Sequence, residues 1–527
     1  MHKRWKVAAV MGCLWAASLM YGEVLSYWVP VVACPWPSLA SSASGVGDGS
    51  TDVIRIAVIA DPQLTDRTSY NQKPGSLALR LTQFYSDIYM RRAFRSSVLG
   101  KKPDQIIFLG DLLDGGPILA PEDWQESLKR YEHIFDQSEG GVEPGRQKPS
   151  IPVYTLPGNH DLGYEAMESA NTEAVERYRR VFGPLEHNVT IGGVEFVFVD
   201  AQALDGSGGI ATRSWNFVKQ KAIEKNNHVR VLVTHMPLFR PDDTPCGRDR
   251  ASPVINQRMN YQPYQPFHIT YQNYVTEKSS SKLLNNLKPV MVLSGHDHDQ
   301  CFILHKSKQG YVPEHTLGTF SWQQGNHFPS FMLLTVSSNA SKGASREDVV
   351  ASRLCWLPVQ IAIYIWYGVL LVITLLALML WPSQGIAVNW FVEQTKSVAA
   401  ELFKSQKVKL KDEDVEWEMI WDAEGGMHLL NKGPKVVPPL VESTGTPPKR
   451  GNVARRAGHD LSMDSVVKMP TVSSPMSQSP STFMRRVRIR TIPFSAKVFQ
   501  TLSPVVVLAT LNFSFYVLLL MKDWGPL

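Results

Sequence analysis

Six short runs rich in valine and isoleucine recur between residues 54 and 294, and five of them lead directly into a turn bearing aspartate, asparagine or histidine. They are Ile54–Ala60, Gln105–Leu109, Val153–Leu156, Val194–Val199, Val229–Thr234 and Val290–Ser294. Apolar, β-branched runs this short have the pattern of buried strands. Between them, Leu77–Leu99 and Asn171–Phe182 repeat apolar residues at helical spacing. Strands alternating with helices predict a layered α/β domain over residues 53–336.

The residues that follow the strands are of one chemical type. They are Asp61-Pro62-Gln63, Gly110-Asp111-Leu112-Leu113-Asp114, Pro157-Gly158-Asn159-His160-Asp161, His235, and Gly295-His296-Asp297-His298. A lone aspartate after a strand is usually a turn or a helix cap. Five such loops in order describe a site instead, because ligands of α/β sheets bind beyond the carboxyl ends of the strands. Carboxylate, amide and imidazole donors suit Mn, Fe or Zn. A carboxylate such as Asp111 can bridge two divalent ions that together bind a phosphate and activate water.

These motifs, in this order, resemble the calcineurin-like metallophosphoesterase superfamily. The resemblance covers residues 54–336, about half the chain. It implies a double β-sandwich flanked by helices. Matched motif to motif, it places the first ion on Asp61, Asp111 and His298 and the second on Asp111, Asn159, His235 and His296. His160 would stand near the substrate as proton donor or phosphate stabiliser, oriented by Asp114 or Asp161. One position departs from the family pattern, which reads Asp-x-His: Gln63 occupies the histidine position. An amide oxygen is a weaker ligand than imidazole for late transition metals, and this favours Mn.

The run Ala60-Asp61-Pro62-Gln63-Leu64 narrows the resemblance, as do Cys301, Glu314, Thr316, Ser321-Trp322 and Pro329. They are similar to the eukaryotic branch, of fungal type, that remodels glycosylphosphatidylinositol (GPI) anchors in the endoplasmic reticulum. That branch implies Mn-dependent removal of an ethanolamine phosphate side branch from a mannose of the GPI glycan, aiding maturation and exit of GPI-anchored proteins. The aromatic insert Tyr261–Tyr274 either shapes a substrate pocket or packs as an ordinary surface loop.

At 527 residues, the chain exceeds one compact domain. Three apolar stretches account for part of the excess: Val7–Val32, Leu357–Trp381 and Val498–Met521. The first is longer than the apolar core of a cleavable signal, roughly 7–15 residues, and reads as a signal anchor over residues 1–34, with cleavage near Cys34 as the rival. A linker over 35–52 leads to the catalytic domain, a second over 337–356 to the membrane helix 357–381, and a cytosolic segment over 382–497 to the last helix, 498–521. Within the cytosolic segment Val392–Phe403 has a helical pattern, and Lys432–Thr482 has the composition of disorder and a surface for coat or cargo-receptor partners.

Basic residues before the first and third stretches put those flanks in the cytosol and the catalytic domain in the lumen. The expected location is therefore a multi-pass protein of the endoplasmic reticulum membrane, in contact with membrane lipid and a GPI glycolipid substrate. Asn188 and Asn339 begin N-glycosylation triplets. The net charge of +6 comes without a basic stripe in the folded part, which gives no nucleic-acid partner. Of five cysteines, Cys13 and Cys355 lie in or beside apolar segments. Cys34, Cys246 and Cys301 share a side, where one disulfide or free thiols are equally open.

Overall fold

Side-chain alternation decides how the layers stack. The computed structural model describes residues 2–40, 53–137, 150–225, 228–340, 343–380, 417–421, 427–431 and 494–524. The catalytic domain contains the strands β1 (Val53–Ile59), β2 (Gln105–Phe108), β3 (Val153–Thr155), β4 (His187–Ile191), β5 (Val194–Val199), β6 (Val229–Thr234), β7 (Met259–Gln262), β8 (Gln265–Gln272), β9 (Met291–Ser294), β10 (Cys301–Ser307), β11 (Gly310–Thr316), β12 (Ser330–Ser337) and β13 (Val350–Trp356).

Two mixed sheets result, in the orders β13–β12–β1–β2–β3 and β10–β11–β9–β6–β5–β4. In the first sheet, Ile56, Val58 and Ile107 point inward, where they meet Phe196, Phe198, Val231 and Val233 of the second. Their neighbours Ala57, Ile59, Ile106 and Phe108 point outward against Tyr89, Met90, Tyr131 and Ile134 of the helices Leu77–Arg92 and Pro121–Ile134. Val197, Leu232 and Val292 do the same on the second sheet, under Val218 and Leu283. A period of two thus gives every central strand two apolar faces and the domain four layers, helix–sheet–sheet–helix. Each such aliphatic or aromatic side chain contributes about 1.5–3 kcal/mol by leaving water.

Three helices are long and apolar enough to cross a membrane: Trp5–Ala33, Gln360–Leu380 and Leu502–Asp523. Their domain-side ends meet at one place. Arg92, at the end of the Leu77–Arg92 helix, pairs with Glu23 of the first span and, at 2.8 Å, with Asp523 of the third. Tyr367 of the second span donates to Glu23 at 2.9 Å, and Tyr27 donates to Gln360 at 3.2 Å. Phe84 packs on Trp524, and Tyr85 on Tyr364.

Several expectations are corrected. The stretch 337–356 is not a plain linker: β13 pairs along β12 from Ser330↔Trp356 to Val336↔Val350, so the sheet runs up to the second span. Within the first apolar stretch, an α-helix over His2–Glu23 gives way to a 3-10 turn and a short helix, Val29–Ala33. Two disulfides form rather than one, Cys34–Cys355 and Cys246–Cys301, leaving Cys13 free. Cys355 lies near the end of β13, beside the second apolar stretch. Of the linker 35–52, residues 41–52 lie outside the described residues. So does the segment 382–497, including Val392–Phe403 and Lys432–Thr482, apart from the start of the last helix at Phe494 and an antiparallel hairpin, Trp417–Trp421 with Met427–Asn431.

Removing one member of a buried ion pair strands the other charge, at a cost of about 3–5 kcal/mol. Arg92→Ala is therefore expected to lower the unfolding free energy, read from denaturant titration in detergent, by that amount, whereas Arg179→Ala, which loses only an exposed pair with Glu176, leaves it unchanged.

Candidate metal centre

β1, β2 and β3 run parallel in one sheet, as do β6 and β9 in the other, and all five carboxyl ends open onto the same edge. The loops there are bound to one another. Leu109 N donates to Ile59 O at 2.8 Å, Gln63 N to Asp111 O at 2.8 Å, and Gly295 N to His235 O at 2.9 Å. Asp61 accepts from His296 N at 3.1 Å through either oxygen, and Asp111 Oδ1 accepts from His160 N at 2.8 Å.

The backbone at this edge is strained. Asp61 (φ 47°), Gln63 (41°), Asp111 (50°), His296 (70°) and His298 (57°) all occupy the left-handed region that non-glycine residues avoid. Strain of this kind persists only where surrounding contacts over-determine it, and it concentrates at functional sites. Glycine is required where loops touch: a Cβ on Gly158 would collide with the Asp111 carboxylate, and one on Gly110 would lie 2.7 Å from His235 Nδ1.

Two donor groups converge, each with its ligand atoms within 4.8 Å of one another: Asp61, Asp111 and His298, and Asp111, His235 and His296. Asp111 is common to both. Backbone carbonyls fix the ring orientations. His235 Nδ1 donates to Leu109 O (2.8 Å) and His298 Nδ1 to Gln324 O (3.0 Å), freeing each Nε2. His296 does the reverse, with Nε2 on Gln272 O (3.2 Å) and Nδ1 turned inward. Asn159 Oδ1 lies 3.0 Å from His235 Nε2 and 2.8 Å from His296 Nδ1, where one cation would satisfy all three atoms.

The residues fit two divalent cations. Asp111 Oδ2 and Gln63 Oε1 are buried without hydrogen-bond partners among the described residues, although Asp111 Oδ2 lies 3.3 Å from His235 Nε2. Buried acceptors left this way call for a counter-charge. Protons take that role in the ion-free protein. Burial alone would keep His235 and His160 neutral, yet Asp111, with Asp61 for His235 and Asp114 for His160, raises them to about 9 and about 10. Burial and the neighbouring His235 hold His296 down to about 3. Burial raises Asp61 to about 8, whereas for Asp111 the histidines His235 and His160 outweigh burial and keep its carboxyl well below the usual range. Cations on the same ligands would displace these protons.

His160 stands on the rim, its side chain 35% exposed and its Nδ1 3.0 Å from Asp114 Oδ1. Gln63 Nε2 donates to Asp114 Oδ1 at 2.7 Å and lies 3.0 Å from His160 Nε2. Asp161 does not orient His160. Its carboxylate accepts from Leu112 N, Leu113 N and Gly158 N at 2.9–3.2 Å and clamps the Asp111 loop to the Asn159 loop. Asn188 is exposed on β4, its amide nitrogen donating to Glu195, and Asn339 is exposed in the turn after β12.

Sequence reasoning missed the outer supports. Thr319 Oγ1 donates to Asp61 O at 2.7 Å, and Gln324 Nε2 to Gln63 O at 2.9 Å. Asp297, between the last two histidines, is clamped by Arg240 and, at 2.8 Å, by Arg250. Both arginines lie more than forty residues upstream, near the Cys246–Cys301 bridge, and only the Asp297 position itself hinted at them. The aromatic insert is the hairpin β7–β8, whose Gln272 O receives His296.

Fold, donor set and loop order define a metal-dependent phosphoesterase. Residues 54–300 match the calcineurin-like phosphoesterase family, and the chain carries a calcineurin-like metallophosphoesterase domain. Among curated relatives, Metallophosphoesterase 1 of Pongo abelii is 28% identical over 389 residues, 68% of this chain and 86% of that protein. Cell division control protein 1 of Saccharomyces cerevisiae is 26% identical over 382 residues, 69% of this chain and 72% of that one. Among solved structures, a purple acid phosphatase from yellow lupin aligns distantly, at 14% identity and a TM-score of 0.34, over 58% of this chain and 54% of that one.

Asp111→Ala is expected to reduce turnover of bis(4-nitrophenyl) phosphate to background, because one substitution removes a ligand from both donor groups. Gln63→His is expected to keep the fold and shift the ratio of Mn- to Zn-supported turnover towards Zn. In chelator-treated protein, His235 and His160 contribute stability that is complete below pH 6.5 and lost as pH rises through about 9 and about 10. Calorimetry should therefore show a midpoint that falls over this window, and saturating Mn2+ should flatten the fall.

Proposed function

We propose that the chain is a membrane-anchored phosphodiesterase that removes an ethanolamine phosphate side branch from a mannose of GPI anchors, in the lumen of the endoplasmic reticulum, and so aids the maturation and exit of GPI-anchored proteins. One observation supports a lipid-linked substrate above all: a single loop joins the metal centre to the second span. Gln324 O receives His298 Nδ1, and two residues earlier Trp322 packs on Tyr364, with ring centroids 5.8 Å apart. A site held this close to the bilayer works at high effective concentration on a headgroup confined to the same surface. The narrower choice of the GPI glycan rests on the Asp61-Pro62-Gln63 run and the family resemblance.

Asp61, Gln63, Asp111 and His298 would hold one cation, and Asp111, Asn159, His235 and His296 the other. When bound, such a pair neutralises phosphate charge and makes water nucleophilic near neutral pH; Mn2+ suits the oxygen-rich first set. The protein's own residues do the rest. His160, oriented by Asp114, presents its ring to the phosphoester and donates the proton that the departing mannose oxygen needs as the phosphorus–oxygen bond breaks. Asp161 keeps the two loops that flank the substrate at fixed separation.

The convergence of Glu23, Gln360 and Asp523 at the domain supports three passes, with the basic N-terminal flank at the far end of the first span and hence cytosolic. The segment 432–482 is proposed to meet coat or cargo-receptor partners, on composition alone; unchanged trafficking after its deletion would remove that role.

The test is mass spectrometry of GPI glycans from cells lacking this protein, rescued by the intact chain or by Asp111→Ala. Accumulated ethanolamine phosphate that only the intact chain clears is the expected result. Unchanged glycans would overturn the GPI assignment and direct attention to other membrane phosphoesters.

A further inference from the structure

The helix Leu77–Arg92 has two faces with different partners. Leu79, Ser86 and Met90 are buried against the domain, Asp87 pairs with Arg130 at 2.6 Å, and Gln83 reaches Thr65 O. The other face carries Leu77, Leu81, Phe84, Ile88 and Arg92, which recur at i, i+4, i+7, i+11 and i+15 along one stripe. Its C-terminal half is covered by the membrane helices: Phe84 by Trp524, and Arg92 by Glu23 and Asp523, while Ile88 is 2% exposed. Among the described residues its N-terminal half has no cover, and Leu77 and Leu81 are 73% and 46% exposed.

We infer that Leu77 and Leu81 lie in the lipid leaflet, so that the Leu77–Arg92 helix rests in the plane of the membrane between the spans and the metal centre. The occupant follows from continuity. The same stripe that meets the ends of three spanning helices runs on as two large aliphatic side chains. A helix held to a membrane protein by one face, with an apolar stripe on the other that nothing else covers, settles with that stripe at the bilayer interface. The helix also borders the site. Thr82 O accepts from Gln323 at 3.3 Å, Gln323 O accepts from Tyr70, and the next residue, Gln324, holds His298. The leaflet is thus brought to the rim of the centre, and a lipid-linked substrate reaches it without leaving the membrane. The inference rests on membrane anchoring, and not on the identity of the glycan.

The test uses the full-length chain in phosphatidylcholine nanodiscs. A nitroxide is placed at Leu77→Cys or Leu81→Cys in a Cys13→Ser background, since the other four cysteines are disulfide-bonded. Ile223, 83% exposed at the end of the helix Gly208–Ile223 over the other sheet, serves as the control as Ile223→Cys. Collision rates are measured with oxygen, which partitions into lipid, and with a water-soluble nickel chelate. The expected result is an oxygen-to-nickel ratio several-fold higher at both leucine positions than at the control. A ratio equal to the control would place the stripe in water, and protection from both reagents would place it under a protein partner; either outcome overturns the inference. The readout involves no turnover, so it stands or falls separately from the substrate assignment.

Discussion

Two carboxylates, buried with no lysine or arginine beside them among the described residues, set the terms for the domain. Asp61 and Asp111 are both fully buried, and among the described residues their charged neighbours are histidines. Burying an unpaired carboxylate costs several kcal/mol, so a fold that keeps two of them adjacent must supply positive charge from another source. In the ion-free protein, protonated His235 and His160 supply it. Divalent cations supply more, at shorter range, and this links stability of the domain to its cofactor. The left-handed backbone at Asp61, Asp111, His296 and His298 is the conformational counterpart of that requirement. Sheet hydrogen bonding and the Asp161 clamp hold these turns where an isolated loop would relax.

The second organising feature is mechanical. Loops that carry ligands are braced by a segment that also packs on a membrane helix. Thr319 and Gln324 bind Asp61, Gln63 and His298, while Trp322, between them, sits against the second span. The Cys34–Cys355 bridge ties the chain just after the first span to the strand just before the second. The catalytic edge and the membrane end of the domain are therefore one construction. A charge network, Glu23–Arg92–Asp523, stands at the roots of the spans.

Much of this was legible in the sequence, because its chemistry sits at strand ends. Val58-Ile59-Ala60-Asp61 and Phe108-Leu109-Gly110-Asp111 announce both the strand and the ligand in a few residues. What stayed hidden depends on distance or on edge positions. β13 reads as linker because an edge strand with one covered face, Val350-Ala351-Ser352-Arg353-Leu354-Cys355-Trp356, is half polar. Its cysteine lies beside the adjoining membrane helix in sequence, and its pairing with Cys34, 321 residues away, leaves no local signal. The choice between Asp114 and Asp161 as the partner of His160 was open in the sequence for a related reason. Next to His160 in sequence, it turns its carboxylate to backbone N–H groups of another loop, and only the fold sets that direction.

The central claim is that Asp111 holds two cations at once. Anomalous scattering at the manganese edge from Mn2+-loaded crystals of the full chain tests it most directly. The account predicts two peaks, roughly 3.5–4 Å apart, with Asp111 between them, one next to Asp61 and His298 and the other next to His235 and His296. A single peak, or two peaks that do not share Asp111, would contradict it.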